Sequence, residues 1–254
     1  MGESILRGVL AEGVDPSEVL VVEQQPQRAR ALAETHGVRL ASPAEAASQA
    51  DLLIVAVKPA DVPAALRDLA GDLRDGAVVV SVAAGVTTDS LEQLLAAGTP
   101  VVRAMPNTPA LVGAGVTAIC PGRHASPDQV EVVERLLRAI GSVVRVPESQ
   151  IDAVTAVSGS GPAYVFLVVE ALVEAGVRVG LPRDLSTRLA LGTLAGSAAM
   201  LTQTGEHPAV LRERVTSPGG TTAAALHELE RHGLRAAFLD AVVANRDRAG
   251  ELGQ

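Results

Sequence analysis

The sequence predicts an α/β domain followed by an all-helical one. Three observations carry this reading. Over residues 1–147, short β-branched apolar runs alternate with helical patterns, the signature of a Rossmann-like parallel sheet covered on both faces. From residue 148 to 254 no strand pattern remains, only successive helical segments. Finally, three consecutive strand runs close in small or Pro-rich turns, AVKP, AAGV and MPNTPA, which puts three specialised turns on one edge of the sheet.

Taken in order, SEVLVVE (17–23) reads as a strand and PQRARALAETH as a helix stopped by Gly37. ADLLIVAVKP (50–59) is a strand buried on both faces and ended by Pro59. DVPAALRDLAGDL is a helix, and GAVVVSVAAG (76–85) is the next strand. TTDSLEQLLAAG is a helix that Thr87, Thr88 or Asp89 can cap and Gly98 can end. TPVVRAMPNTPA gives a short strand and a Pro-rich turn, GVTAICPG another strand, SPDQVEVVERLLRAIG a capped helix, and SVVRVPE a last strand. The helical part then runs IDAVTAV, AYVFLVVEALVEAGVRVG, RDLSTRLALGTLAGSAAMLTQTG, HPAVLRERV, TAAALHELERHG and LRAAFLDAVVANRDRAGEL. AYVFLVVEALVEAG is apolar over most of its circumference and must be covered all round. Gly192 and Gly196, with Ala195 and Ala199, leave a flat helix face, which suits either intrachain packing or an intersubunit contact.

Composition bounds the function. With 48% hydrophobic but 1% aromatic residues, the core is built from Ala, Val, Leu and Ile. A net charge of −8 with scattered Arg and no basic block argues against a nucleic-acid partner. The one cysteine, Cys120, allows no internal disulfide and points to a reducing, cytoplasmic compartment, where it reads as a small buried apolar residue. The first residues lack a signal-peptide pattern, and the longest uncharged stretch, 189–205, is short and rich in Gly, Thr and Ser, so no membrane span is expected. His36, His124, His207, His227 and His232 lack metal-ligand spacing, so no metal is expected.

A dinucleotide-binding domain opens with a strand, a Gly-rich turn and a helix whose N-terminus holds the pyrophosphate. This sequence opens on the helix, MGESILRGVLAEG, with Gly2 where the third glycine of G-x-G-x-x-G falls. The first strand and turn, about ten residues, are expected to be missing. An inner strand and part of the pyrophosphate cradle would then be absent, and coenzyme affinity would be poor.

Among the turns, Lys58 can meet a phosphate or ribose, or be a plain surface lysine. The small residues of AAGV let a flat ring approach the backbone, or simply make a tight turn. Asn107 presents an amide between two prolines. Ser158-Gly-Ser-Gly brings backbone N–H groups together but is not a nucleophile elbow, because Ser158 and Pro162 stand where glycines are needed. SPGGTT (217–222) precedes a good helix. Its two glycines free the backbone, and the helix N-terminus favours a negative group, a carboxylate more than a phosphate since no Lys is near. A plain N-cap remains the alternative.

Together these residues resemble the pyrroline-5-carboxylate reductases. The most specific piece is P-x-x-L-x-x-x-V-T-S-x-G-G-x-T-x-x-A-L-x-x-L-E, positions 208–230, which is similar to that family's C-terminal signature at every constrained position. AVKP, AAGV, MPNTP and SGSGPAY are similar to its other marks, in order. The resemblance implies a Rossmann-like NAD(P)-binding domain over 1–147 and a helical substrate and dimerisation domain over 148–254. It implies an interlocked homodimer, with dimers often forming a decamer. It implies hydride transfer from NADPH or NADH to the C=N carbon of a cyclic imine, giving L-proline as the last step of proline biosynthesis.

The resemblance also assigns residues. The coenzyme would lie along Met1, Gly2, Gln24, Gln25, Pro26, Ala56, Val57, Lys58, Pro59, Ala83, Ala84 and Asn107. The substrate carboxylate would meet the backbone at Gly220, Thr221 and Thr222, with Val215 and Glu148 lining or approaching the pocket. Thr222, the catalytic candidate, would hydrogen-bond the ring nitrogen and position it without ionising. Two features depart from the pattern: the absent Gly-rich turn, and Arg214 where many members carry a small amide. Glu23 suits the ribose hydroxyls of NAD, while Gln24, Gln25 and Arg28 can receive the extra phosphate of NADP. Two other readings stay open: a related two-domain imine or hydroxyacid reductase with another substrate, and a non-catalytic oligomer.

Overall fold

The computed structural model describes residues 1–252, so the last two residues of the expected 148–254 domain lie outside the described residues. Compactness divides the chain into Met1–Ser160 joined by the end of the last helix from Asn245, and Gly161–Ala244.

In the first unit, β3 (Leu52–Val55), β4 (Val78–Ser81), β5 (Val101–Pro106), β6 (Gly115–Pro121) and β7 (Gly141–Arg145) form one sheet in chain order. β4 shows why these residues make an inner strand. Val78 and Val80 point into one core with Ile5 and Val9 of α1 (Gly2–Ala11) and Val133 and Leu137 of α6 (Pro127–Leu137). Val79 points into the opposite core with Val62 and Leu66 of α4 (Val62–Ala70) and Leu91 of α5 (Thr88–Gln93). A strand covered on both faces needs apolar residues at every position rather than every second one.

The expectation of a parallel sheet needs one correction. β3–β4, β4–β5 and β6–β7 are parallel, but β5 and β6 are antiparallel, with Arg103 opposite Cys120 and Met105 opposite Ala118. A parallel return needs a crossover of a dozen or more residues. The stretch between Pro106 and Gly115 is shorter than that and folds as a Pro-rich 3-10 turn, Thr108–Val112. The helix-free gap was the readable signal.

β1 (Leu20–Val21) is shorter than the expected 17–23, because Pro16–Glu18 forms a 3-10 turn capped by Asp15. It pairs in parallel with β2 (Arg39–Leu40), and this two-stranded sheet is separate from the larger one. α2 (Pro26–His36) connects the two strands, and α3 (Pro43–Gln49), capped by Ser42, leads from β2 toward β3. β2 and α3 have no counterpart in the sequence reading. Both are short and polar, with two residues and PAEAASQ respectively, so neither carries an apolar period.

After β7, α7 (Ile151–Val154) runs into a π-helical turn, Thr155–Gly159. The helices α8 (Gly161–Arg178), α9 (Arg183–Thr204), α10 (Pro208–Arg214), α11 (Thr221–Arg231) and α12 (Leu234–Leu252) complete the chain. α8 and α9 pack closely at Gly176, where Ser186 donates its hydroxyl to the Val173 carbonyl at 2.8 Å. The helical run Glu148–Arg178 is long and apolar enough to cross a membrane by length and composition, yet only 11% of its apolar window is buried within the chain. Phe166, Leu167, Leu189 and Leu239 are among its and its neighbours' exposed side chains.

Candidate active site

The parallel register of β3, β4 and β5 pairs Val55 with Ser81 and Ser81 with Arg103, so β3 and β4 end level and β5 runs three residues further, to Pro106. Their carboxyl ends carry most of the expected coenzyme residues. Ala56, Val57 and Lys58 follow β3 and are exposed, and Lys58 and Pro59 begin a 3-10 turn. Lys58 is the sole lysine of the chain. Ala83 follows β4 and is buried, with its N–H donated to the Ser81 hydroxyl at 3.3 Å, and Ala84 follows it. Met1 is the N-cap of α1, and its carbonyl accepts from the Ser4 and Ile5 amides. A Cβ on Gly2 would lie 3.0 Å from that of Ala56, so the helix start and the end of β3 meet at the only residue type that leaves the space free.

Gln24, Gln25 and Pro26 follow β1, with Gln25 as the N-cap of α2. Glu23 accepts from the Gln25 amide at 3.0 Å and pairs with Arg28 at 3.4 Å. The acid at this strand end is thus already engaged with a neighbouring cation.

Asn107 is 8% exposed and uses both ends of its amide inside the protein. Its Oδ1 accepts from the Val116 N–H at 2.9 Å, and its Nδ2 donates to the Ser158 carbonyl at 3.1 Å. It ties the end of β5 to the π-turn instead of presenting a free group.

Glu148 also has protein partners. Arg103 on β5 and Cys120 on β6 are register partners, so their side chains emerge side by side on one face of the sheet. Both reach Glu148: Arg103 through an ion pair, Cys120 through its thiol at 3.4 Å. Thr88 donates its hydroxyl to the same carboxylate at 2.9 Å, and its backbone N–H lies at 3.4 Å. Burial raises the Glu148 carboxyl, but hydrogen bonds from Arg103 and Thr88, the Arg103 charge and the Cys120 thiol outweigh it and hold the group below the ordinary carboxylate value. Burial first, then the charge and hydrogen bond of Glu148, push the Cys120 thiol up from 9.0 to about 12, with Arg103 pulling the other way. A cavity of about 220 Å³ opens among Gly85, Thr87, Arg103, Glu148, Asp152 and Gly250. Sequence reasoning missed the Arg103–Thr88–Cys120 cluster. A lone Arg inside the apolar strand VVRAMP was its signal, since a buried guanidinium requires a counter-charge.

The remaining residues lie in the second unit. Val215 is the C-cap of α10 and is exposed. Gly219 has φ +67°, and Gly220 is the N-cap of α11 with no side-chain cap. The first backbone bond of that helix runs from Ala224 N–H to the Gly220 carbonyl. The amides of Thr221, Thr222 and Ala223 therefore point out of the helix start, with no hydrogen-bond partner among the described residues. The N-cap of the helix does fall within SPGGTT, at Gly220, but it is a backbone cap, and neither threonine caps the helix with its side chain. Just before this loop, Arg214 grips Glu206 with two hydrogen bonds of 2.5 Å each, which occupies the guanidinium that departs from the family pattern.

Comparison with known proteins fits this layout. Residues 148–252 match the family model described as pyrroline-5-carboxylate reductase dimerisation, and residues 1–85 match that described as NADP oxidoreductase coenzyme F420-dependent. A pyrroline-5-carboxylate reductase of Mycobacterium tuberculosis (strain H37Rv) is 51% identical, over 99% of this chain and 93% of that protein. This chain belongs to the pyrroline-5-carboxylate reductase family. The solved pyrroline-5-carboxylate reductase from Coxiella burnetii matches with a TM-score of 0.95 at 38% identity, over 100% of this chain and 95% of that one. The Plasmodium falciparum pyrroline carboxylate reductase, solved with NADP bound, matches with a TM-score of 0.88 at 28% identity, over 100% and 95%. The α/β-then-helical architecture is thus that of pyrroline-5-carboxylate reductases.

Proposed function

We propose that this chain reduces 1-pyrroline-5-carboxylate to L-proline with NADPH or NADH, the last step of proline biosynthesis. One observation carries the reading beyond family membership: no side chain caps the start of α11, so the amides of Thr221, Thr222 and Ala223 face outward behind Gly219 and Gly220. Such a start suits a carboxylate, because free N–H groups and the helix dipole both favour negative charge.

The substrate is a cyclic imine with a carboxylate. We assign the carboxylate to the Gly220–Thr221–Thr222 backbone and the ring nitrogen to the Thr222 hydroxyl, with Val215 against the ring. The reduced nicotinamide, when bound, supplies a hydride to the C=N carbon, and the ring nitrogen keeps its proton as the secondary amine of proline. A protonated imine accepts hydride readily, so the chain's task is orientation more than acid catalysis. The lack of any His–Asp or Cys–His dyad in our reading of the site agrees with that.

For the coenzyme we assign the α1 start at Met1 and Gly2, the 24–26 turn, the 56–59 turn and Ala83–Ala84. The small residues and the close Gly2–Ala56 approach fit a dinucleotide lying across the strand ends. The Glu23–Arg28 pair leaves room for either coenzyme, the acid for ribose hydroxyls and the guanidinium for an added phosphate. Asn107 and Glu148 act through the protein groups they hold.

We place the domain boundary at 147/148 and infer a cytoplasmic homodimer, interlocked through the helical domain, with five such dimers forming a decamer as the full assembly. Dimerisation gives the exposed apolar side chains of α8, α9 and α12 a cover that needs neither membrane nor nucleic acid.

The test is oxidation of NADPH and NADH with pyrroline-5-carboxylate, beside a panel of other cyclic imines and 2-oxo acids. Strong preference for pyrroline-5-carboxylate upholds the assignment. A better substrate in the panel, or no turnover by a folded protein, overturns it.

A further inference from the structure

We propose that Arg103 and Glu148 are positioning residues for the reduction. Their ion pair fixes the 148–160 segment so that its Ser-Gly-Ser-Gly turn stands at a set place beside the coenzyme end of the sheet. The inference rests on the functional reading above and gives both residues a role that works through the protein groups they hold.

The geometry points there by steps. Arg103 is buried in β5, with its side chain 5% exposed, and β5 ends three residues later in Pro106 and Asn107. Glu148 opens the segment that leads through α7 to the π-turn at Thr155–Gly159. Single π-turns cost regular hydrogen bonding and occur most where function requires an odd backbone path. This one is held at both ends. Glu148 is bound by Arg103, Thr88 and Cys120. Ser158 gives its carbonyl to Asn107, and Gly159 passes so near β5 that a Cβ there would lie 3.1 Å from the Met105 methyl. Asn245 closes the far end by donating to the Ser160 hydroxyl at 2.9 Å.

A purely structural reason for Arg103 is weak. Burying a guanidinium carries a desolvation cost that an apolar residue at the same place would avoid. The Nε of Arg103 has no partner at all, which adds to that cost. Its Nη1 nevertheless pairs with the first residue of the segment and supplies the one positive charge on that carboxylate, beside the Thr88 hydroxyl and the Cys120 thiol. The Ser158 hydroxyl, buried and also without a partner, is the group that this latch carries to the strand ends.

The experiment compares Glu148→Gln, Thr88→Val and the charge-free double variant Arg103→Met with Glu148→Gln. Thermal midpoint, reduced-coenzyme Kd, kcat and KM are measured for each, together with amide exchange of residues 155–160. The double variant leaves no unpaired buried charge, so its folding is expected to approach that of the parent. A positioning pair predicts that its kcat stays about 10- to 100-fold low, as misplacement of reacting groups does, while coenzyme Kd changes less than about 3-fold. Exchange at 155–160 rises in the same variant. Full recovery of kcat along with the midpoint would overturn the proposal, as would unchanged exchange. If the parent protein fails with pyrroline-5-carboxylate, the functional reading falls separately and the exchange measurement alone decides the latch.

Discussion

Gly2 and Ala56 approach so closely that a Cβ on the glycine would lie 3.0 Å from the alanine methyl. The start of α1 and the end of β3 therefore share one small space at the edge where the strands end. Gly2→Val should push the helix start away from Ala56. Reduced-coenzyme affinity, followed by fluorescence titration, is expected to fall about 10-fold, roughly the effect of losing one good hydrogen bond to a charged group. The fold should persist, because Ile5 and Val9 further along α1 still fill the core.

Lys58 offers a chemical test that needs no mutation. It is the only lysine of the sequence, so among the side chains an amine-selective reagent can modify only its Nζ. That group belongs to a turn assigned to the coenzyme. Saturating NADPH should slow modification of Lys58 several-fold, as read by mass spectrometry of the peptide carrying it. Equal rates with and without coenzyme would remove Lys58 from the site.

The start of α11 can be given a side-chain cap by design. Gly220→Asp places a carboxylate at the N-cap, where Asp serves well and the native glycine supplies no side chain. A Cβ there would run into the Ser217 hydroxyl oxygen, which must rotate aside, while the introduced carboxylate competes for the amides of Thr222 and Ala223. KM for pyrroline-5-carboxylate is expected to rise about 10-fold or more, with coenzyme affinity unchanged. Thr222→Ala should leave assembly intact and cost about 5- to 10-fold in kcat/KM, the range of one neutral hydrogen bond. Unchanged kinetics in both variants would take the carboxylate elsewhere.

Cys120 should be inert. Its thiol is held from 9.0 up to about 12, chiefly by burial and then by Glu148, so almost no thiolate exists near neutral pH. Alkylation at pH 8 should be slow in the native protein and fast once it is unfolded. The same shift has a sign for stability. The folded state holds this proton more tightly, so its contribution is full below about pH 9 and declines as pH rises toward 12. Cys120→Ser should flatten that alkaline decline in denaturant titrations.

Much of the fold was legible in residue order. Val78 to Val80 read as a strand covered on both sides because each of the three valines is apolar, and each is buried. SPDQVEVVERLLRAIG read as a capped helix, and its start carries a reciprocal capping box of Ser126 and Gln129. Thr87, one of three candidate caps for α5, is the one that accepts from the Ser90 amide. What was not legible depends on partners distant in sequence. Strand direction at β6 follows from the length of the preceding turn, not from its own residues. The roles of Asn107 and Glu148 follow from Ser158, Arg103, Thr88 and Cys120, which lie 28 to 60 residues from them. A motif shows which chemical groups are present, but only the fold shows which of them are already engaged.

The separate β1–β2 pair has a consequence for the enzyme in warm conditions. Each of its strands is two residues long, and such a ribbon is marginal unless something else holds it. The adenosine half of the proposed coenzyme site hangs on the turn that follows β1. On heating, that corner should loosen while the five-stranded sheet is still intact. Activity would then fade first through loss of saturation, recoverable by adding coenzyme, and only at higher temperature through loss of the protein itself.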